Sequence, residues 1–389
     1  MRIAIVAPGT LPVPAVKGGA VESLIDTFIK FAKCSSDVID VYSASEDIDE
    51  IRVCCKENIT YNFTPLKISE DTIINRLKSR VRPQIWYDDY LKFVCDNIKN
   101  KEYDRVIIEN RPTFVHDIRK ITNAKIYLHL HNENIVSVKK HCRNLSTECE
   151  KIIVVSEYIK KRVKYALGNI DNIEVLYNGI AENQFKKEHD PEKRKNIRER
   201  FGINQKDFVV CYTGRFCKEK GVLELVKAFK LLNEEKNIVL LIIGSTWFGN
   251  TSSDPYVERV KEEASQCTSK IVFTGYLDNS EVAEIESIAD IAVLPSMWND
   301  PLPLVIIEAM ASGLPVISTY AGGIPEMCAD SCGILLNRTE KLSNEIASRI
   351  IQLKEDSQLR QLLGENARKR VEQYFTQKKY YDNFMKLIK

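Results

Sequence analysis

Two kinds of hydrophobic pattern alternate along the chain. Short apolar runs recur in the first half at Arg2–Ala7, Val38–Tyr42, Arg105–Glu109, Lys125–Leu130, Lys151–Val155 and Ile173–Leu176. They recur in the second half at Asp207–Tyr212, Val239–Gly244, Ile271–Thr274, Ile291–Leu294 and Pro315–Ser318. Runs that are apolar at nearly every position predict strands buried on both faces of a parallel sheet. The segments between them carry helical spacing. Val21, Leu24, Ile25, Phe28 and Phe31 predict a helix over 20–33, and Val222, Leu225, Val226, Phe229 and Leu232 predict another from 222. Further helices are expected over 71–100 with an interruption at Pro83, from Pro112, after Ser156 as N-cap, over 279–289, over 303–312, and from 340 to the end with a break near Phe375-Thr376. Residues 44–62 are polar without a period and predict no element.

This strand–helix order, run through twice, predicts an α/β chain of two Rossmann-like doubly wound domains facing a cleft. The length of 389 residues agrees, being too large for one hydrophobic core. The domains are expected at 1–177 and 188–376, joined where the composition turns charged.

Composition narrows the classes. A net charge of +2 is too small for a nucleic-acid partner. No apolar run approaches the ~20 residues of a membrane span, and the N-terminal run reads as a strand rather than a signal peptide. The 11 cysteines form no Cys-x-x-Cys pair and read as reduced thiols of a cytoplasmic protein. Cys142, Cys149 and His141 are the nearest approach to a metal cluster, and helix-face packing accounts for their spacing equally well. No metal and no cofactor is therefore expected. Arg76, Lys78, Arg80 and Arg82, followed by Ile85, Trp86, Tyr87 and Tyr90, form either a solvated helix face or a peripheral contact with a membrane or lipid-linked acceptor.

The chemistry concentrates in residues 295–327. After the run ending at Leu294, Pro301 and Pro303 stiffen a connection into a helix that Gly313 can close and Pro315 cannot extend. Asp300 lies before that helix and Glu308 in its second turn. Both belong near the carboxyl edge of the sheet, where open α/β folds bind ligands. Two carboxylates can accept pairs of hydroxyl hydrogen bonds from a polyol. The Gly322-Gly323 turn can bring N–H groups to an anion. The plain alternative makes Asp300 a helix-entry acid and Glu308 a solvated one. Gly18-Gly19, between a strand and a helix, form a second candidate anion loop, with Glu22 a helix-start acid. Arg215 and Lys220 flank another strand-to-helix loop and can neutralise a diphosphate.

An acid, seven residues, then Glu308, followed by Ala-Met-Ala-Ser-Gly-Leu-Pro-Val-Ile and Gly-Gly-Ile-Pro-Glu, resembles glycosyltransferase family 4, the retaining, nucleotide-sugar-dependent enzymes of the GT-B fold. The likeness spans most of the chain, with Asp300 standing where the family usually has Glu and Ala181 where it usually has Asp. It implies a retaining glycosyltransferase that moves a hexose, from a UDP-sugar by preference, to a hydroxyl of a cell-surface glycan or lipid-linked acceptor without a metal. It implies a last helix, 377–389, crossing back onto the first domain. It implies that Gly18, Gly19, Gly214, Leu304, Glu308, Gly322 and Gly323 hold the donor, with Tyr276 against the base. It further assigns Arg215 and Lys220 to the diphosphate, Asp300 and His131 (not His129) to the sugar, and Asn132 and Glu133 to the acceptor. The residues alone leave open a sugar-nucleotide epimerase, a phosphorylase-type enzyme or a non-enzymatic coat or scaffold protein.

Overall fold

The computed structural model describes residues 1–45, 58–65, 78, 83–186, 190–244, 254–275, 277, 279–329 and 331–389. They divide into two compact units, Met1–Gly179 with Gln377–Lys389, and Ile180–Thr376.

The first unit is built on seven strands: β1 (Arg2–Val6), β2 (Val38–Ser45), β3 (Ile59–Pro65), β4 (Arg105–Glu109), β5 (Lys125–Leu130), β6 (Lys151–Val154) and β7 (Ile173–Val175). Every pairing is parallel, in the order β3-β2-β1-β4-β5-β6-β7. The order reverses between β1 and β4, which opens a crevice beyond their carboxyl ends. Ile3, Ile5, Ile107 and Tyr127 face a core shared by the helix Ala20–Ala32 and the final helix Gln377–Ile388. Phe384 lies 5.1 Å from Phe28, ring centroid to centroid, and is almost wholly buried. The Arg105 guanidinium donates to the Ile388 carbonyl at 2.7 Å, answering one of the carbonyls a helix end leaves open.

The second unit holds β8 (Phe208–Thr213), β9 (Ile238–Ile243), β10 (Lys270–Gly275), β11 (Ile291–Val293), β12 (Val316–Thr319) and β13 (Gly333–Leu336). The order is β10-β9-β8-β11-β12-β13, again all parallel, with its reversal between β8 and β11. All six residues of β9 are buried, as an unbroken apolar run requires between two helical layers. At the amino ends of β8 and β11 Arg198 is buried; it donates to the carbonyls of Asn204, Asp207 and Ile288 at 2.9–3.1 Å and pairs with the Asp290 carboxylate at 3.4 Å, which together meet its charge.

The two parallel sheets match the expected class. Two strands and two longer helices, besides several single-turn helices, depart from the pattern-based reading. β3 crosses a stretch that predicts none; it is an edge strand, mostly half-exposed, so its sequence carries polar residues. β13 is another edge strand and opens on a glycine. The helices Pro191–Arg200 and Pro255–Ser265 each bury few side chains and so show little apolar periodicity. Asp47, Asp49, Arg76, Arg80, Arg82 and Tyr276 lie outside the described residues.

Candidate active site

In the second unit the loops after β8, β11 and β12 interlock at the reversal point. Lys220 follows β8 and Asp300 follows β11; their Nζ and Oδ2 atoms are 2.5 Å apart. The indole Nε1 of Trp298 donates to the same Asp300 oxygen at 3.3 Å. The Met297 N–H donates to the Glu219 carbonyl at 2.8 Å. Gly221 has φ 71°, and a Cβ there would stand 2.0 Å from the Pro295 carbonyl oxygen. Gly322 has φ 57°, and its Cβ would stand 2.1 Å from the Asp300 carbonyl oxygen. The Gly323 N–H donates to that same carbonyl at 2.8 Å. One N–H of the Gly322-Gly323 turn is thus spent on fixing Asp300. Lys220 is likewise no isolated cation, because Asp300 neutralises it.

Glu308 sits one turn into the helix Leu304–Ala311, half-buried. Its carboxylate makes no hydrogen bond or ion pair among the described residues, and burial pushes it up to about 7. Close by is Glu286, wholly buried, which the spacing does not single out. It accepts from the Thr213 hydroxyl at 2.5 Å with one oxygen, while the other has no partner. Burial first, and the nearby Glu308 second, push it up to about 8. Arg215 is exposed on the loop after β8, next to a half-buried Gly214. Leu304 opens the helix that carries Glu308. Tyr212, Thr213, Lys220, Ser296, Asp300 and Pro303 line a cavity of about 20 Å³ at these strand ends, room for one water. A larger cavity, about 910 Å³, opens among Ser312, Gly313, Arg360 and Arg368, away from this group.

In the first unit Gly18 and Gly19 precede the helix Ala20–Ala32, with Gly19 as its N-cap. The Gly18 N–H is taken by the Ala15 carbonyl at 3.0 Å. Glu22 is an acid of the first helical turn, as its position suggests, but it does not face solvent. It is buried beneath Gly19, and burial, reinforced by Glu109, pushes it up to about 7. Glu109 closes β4 and lies in register with His129 on β5. Its Oε2 is 2.8 Å from His131 Nε2 and 3.0 Å from His129 Nδ1, the second contact off the hydrogen-bonding direction. Burial alone would raise the Glu109 carboxyl, but His129 and His131 outweigh it and hold it down at about 2. Burial, with His129 beside it, pushes His131 down to about 4. The three side chains bring one ligand atom each within 4.8 Å, a donor set that suits a transition metal, although the Glu109 oxygen is already committed to His131. Sequence reasoning reached only His131. The signal for the others was the two-residue spacing of His129 and His131, which puts both on one strand face. Beyond them, Asn132 accepts from the Asn134 N–H at 3.0 Å, and Glu133 is held by Arg162 at 2.6 Å and Tyr158 at 3.0 Å.

Two parallel doubly wound units, each with charged side chains gathered at its reversal point, have the architecture of the GT-B fold. Residues 193–370, a little under half of the chain and most of the second unit, match the family described as glycosyl transferases group 1. A Bacillus subtilis protein named as a glycosyltransferase, YtcC, is 29% identical over 387 residues, covering 97% of this chain and 89% of its own. Spore coat protein SA of the same organism is 24% identical over 397 residues, covering 99% and 98%. Among solved structures, Anabaena HepE in complex with UDP-glucose superposes with a TM-score of 0.75 at 19% identity, covering 99% of this chain and 98% of that one. No described helix is long and apolar enough to cross a membrane.

Proposed function

We propose that this glycosyltransferase moves a hexose from a UDP-sugar to a hydroxyl of a cell-surface glycan or glycoconjugate, retaining the anomeric configuration. One observation carries the reading: Glu308 presents a half-buried carboxylate with no partner among the described residues. Holding an acceptor in that state is costly unless a ligand's hydroxyl groups complete it. Glu308 takes the ribose hydroxyls. Arg215 grips the diphosphate as a fork. The Lys220 ammonium keeps one donor on Asp300 and turns the others to the same phosphates. Asp300, its Oδ2 engaged by Lys220 and Trp298, offers Oδ1 to the sugar, and His131 has a sugar hydroxyl as its own partner. Gly18, Gly19, Gly214, Leu304, Gly322 and Gly323 shape the donor's surroundings, while Asn132 and Glu133 fall to the acceptor.

In the reaction the bond from the anomeric carbon to the phosphate oxygen breaks. A bond from that carbon to the acceptor oxygen forms on the same face, and the acceptor proton passes to the leaving phosphate oxygen. Stabilising the charge that grows on that phosphate is the main catalytic contribution of Arg215 and Lys220. Relatives differ in the sugar they are named for. One is a lipopolysaccharide N-acetylglucosaminetransferase at 26% identity over 247 residues, and another is a GDP-mannose-dependent mannosyltransferase at 26% over 241. UDP-glucose, held by HepE, is the first donor to test. On the same reading the enzyme is cytoplasmic, working on an acceptor at the inner face of the membrane.

The test is a thermal-shift panel of UDP, GDP, ADP and TDP. A nucleotide at 100 times its Kd adds about 2.7 kcal/mol of stability. UDP should give the largest shift, and Arg215→Ala and Glu308→Gln should each remove most of it. No shift with any nucleotide would leave a scaffold role.

A further inference from the structure

We propose that Glu109 is a positioning residue: its carboxylate holds the His131 ring as the Nε2–H tautomer, so that Nδ1 is presented as a hydrogen-bond acceptor to a substrate hydroxyl. The substrate clause rests on the transferase reading above; the tautomer clause stands on the first unit alone.

The geometry is over-determined. Glu109 and Asn110 are consecutive at the end of β4, and both act on the strand beside them. The Asn110 N–H donates to the His129 carbonyl at 2.7 Å, and Asn110 Oδ1 accepts from the His131 N–H at 3.3 Å. Asn110 adopts φ 57°, a left-handed conformation that asparagine tolerates better than most residues. One residue thus fixes the His131 backbone while its neighbour fixes the ring. The ring side is then chemically forced. An ionised carboxylate only accepts hydrogen bonds, so the nitrogen facing it must carry the hydrogen. The His131 ring is kept neutral by its burial and by His129, whose ring lies tilted against it with centroids 4.1 Å apart. A neutral imidazole with hydrogen on Nε2 keeps its lone pair on Nδ1. The surrounding charges are Glu22, Arg111 and His129, with the Tyr380 hydroxyl on the final helix. A carboxylate is an expensive filler for such a place, and an amide or apolar side chain would fill the volume as well.

The experiment uses the full chain, ¹⁵N-labelled, with long-range ¹H–¹⁵N imidazole spectra; the His131 signals are those lost in His131→Asn. The ligand-free wild type should show His131 as a neutral Nε2–H tautomer at pH 7 that does not titrate down to pH 5. Glu109→Gln, whose amide can donate to Nε2, should move His131 toward the Nδ1–H tautomer. The same variant should lower kcat for UDP-glucose turnover by about 10–100-fold, the worth of one charge-assisted hydrogen bond. Its UDP thermal shift should be unchanged, and Glu109→Asp should restore part of both tautomer and turnover. An Nδ1–H tautomer in the wild type overturns the proposal. So does full turnover in Glu109→Gln, or a stoichiometric metal whose chelation frees Nε2. Should Glu109→Gln fail to fold, the wild-type tautomer and its titration decide. A wild type silent toward UDP-glucose counts against the donor reading, and the tautomer shift then decides the role of Glu109.

Discussion

Glu308 and Glu286 form a pair of acids whose environments oppose ionisation, with opposite prospects of relief. Glu308 can be met by ligand hydroxyls, and its carboxylate accepts them best when ionised. UDP-glucose, which has no titrating group of its own near neutrality, should therefore bind more tightly as pH rises through about 7. Isothermal titration across pH 5.5–8.5 would show this slope, and Glu308→Gln should flatten it. Glu286 has no such relief. Its folded pKa stands at about 8 against 4.5 for an ordinary glutamate, so the folded state binds the extra proton between those values. Stability must then fall as pH rises through that window, by up to ~1.4 kcal/mol for each pH unit crossed. Glu286→Gln keeps the Thr213 bond and removes the titration. Chemical denaturation at several pH values should show the variant gaining on the wild type from pH 4.5 to 8. Of these residues, Glu308 and Arg215 could be singled out as candidates because each sits on a strand-to-helix connection marked by glycines or prolines. Glu286, Glu109 and His129 were not, because their meaning comes from a partner on another strand or helix.

At the scale of elements, the two unbroken sets of apolar runs were enough to read both sheets and their carboxyl-edge loops. The edge strand β3 escaped because it is mostly half-exposed and interleaves polar with apolar residues, whereas β13, Gly-Ile-Leu-Leu, is apolar but only four residues long. The loops carry a sharper constraint. Gly322→Ala places a methyl against the Asp300 carbonyl and a left-handed strain on a residue that resists it. It should cost about 1–3 kcal/mol and move Asp300 off Lys220, lowering UDP-glucose turnover more than UDP affinity. Asp300→Ala leaves Lys220 unpaired. The loss should be on the order of 2 kcal/mol, below the ~3–5 kcal/mol of a fully buried pair, because Lys220 is 20% exposed. Thermal unfolding of both variants without ligand checks these figures.

At the scale of the molecule, the final helix belongs to the core of the first unit, with Tyr380, Phe384 and Ile388 buried among residues near the N-terminus. Phe384→Ala should cost about 3–5 kcal/mol. Deleting residues 377–389 should leave the second unit protease-resistant and the first degraded, as limited proteolysis would show. Synthesis order gives this arrangement a further meaning. After Gly179 leaves the ribosome, 197 residues, Ile180–Thr376, must be made before the helix that finishes the first unit appears. At ~5–20 residues per second that is a wait of about 10–40 seconds. Throughout it the nascent first half displays an open apolar seam, and a chaperone that binds such seams has its window there, closing when the last dozen residues dock.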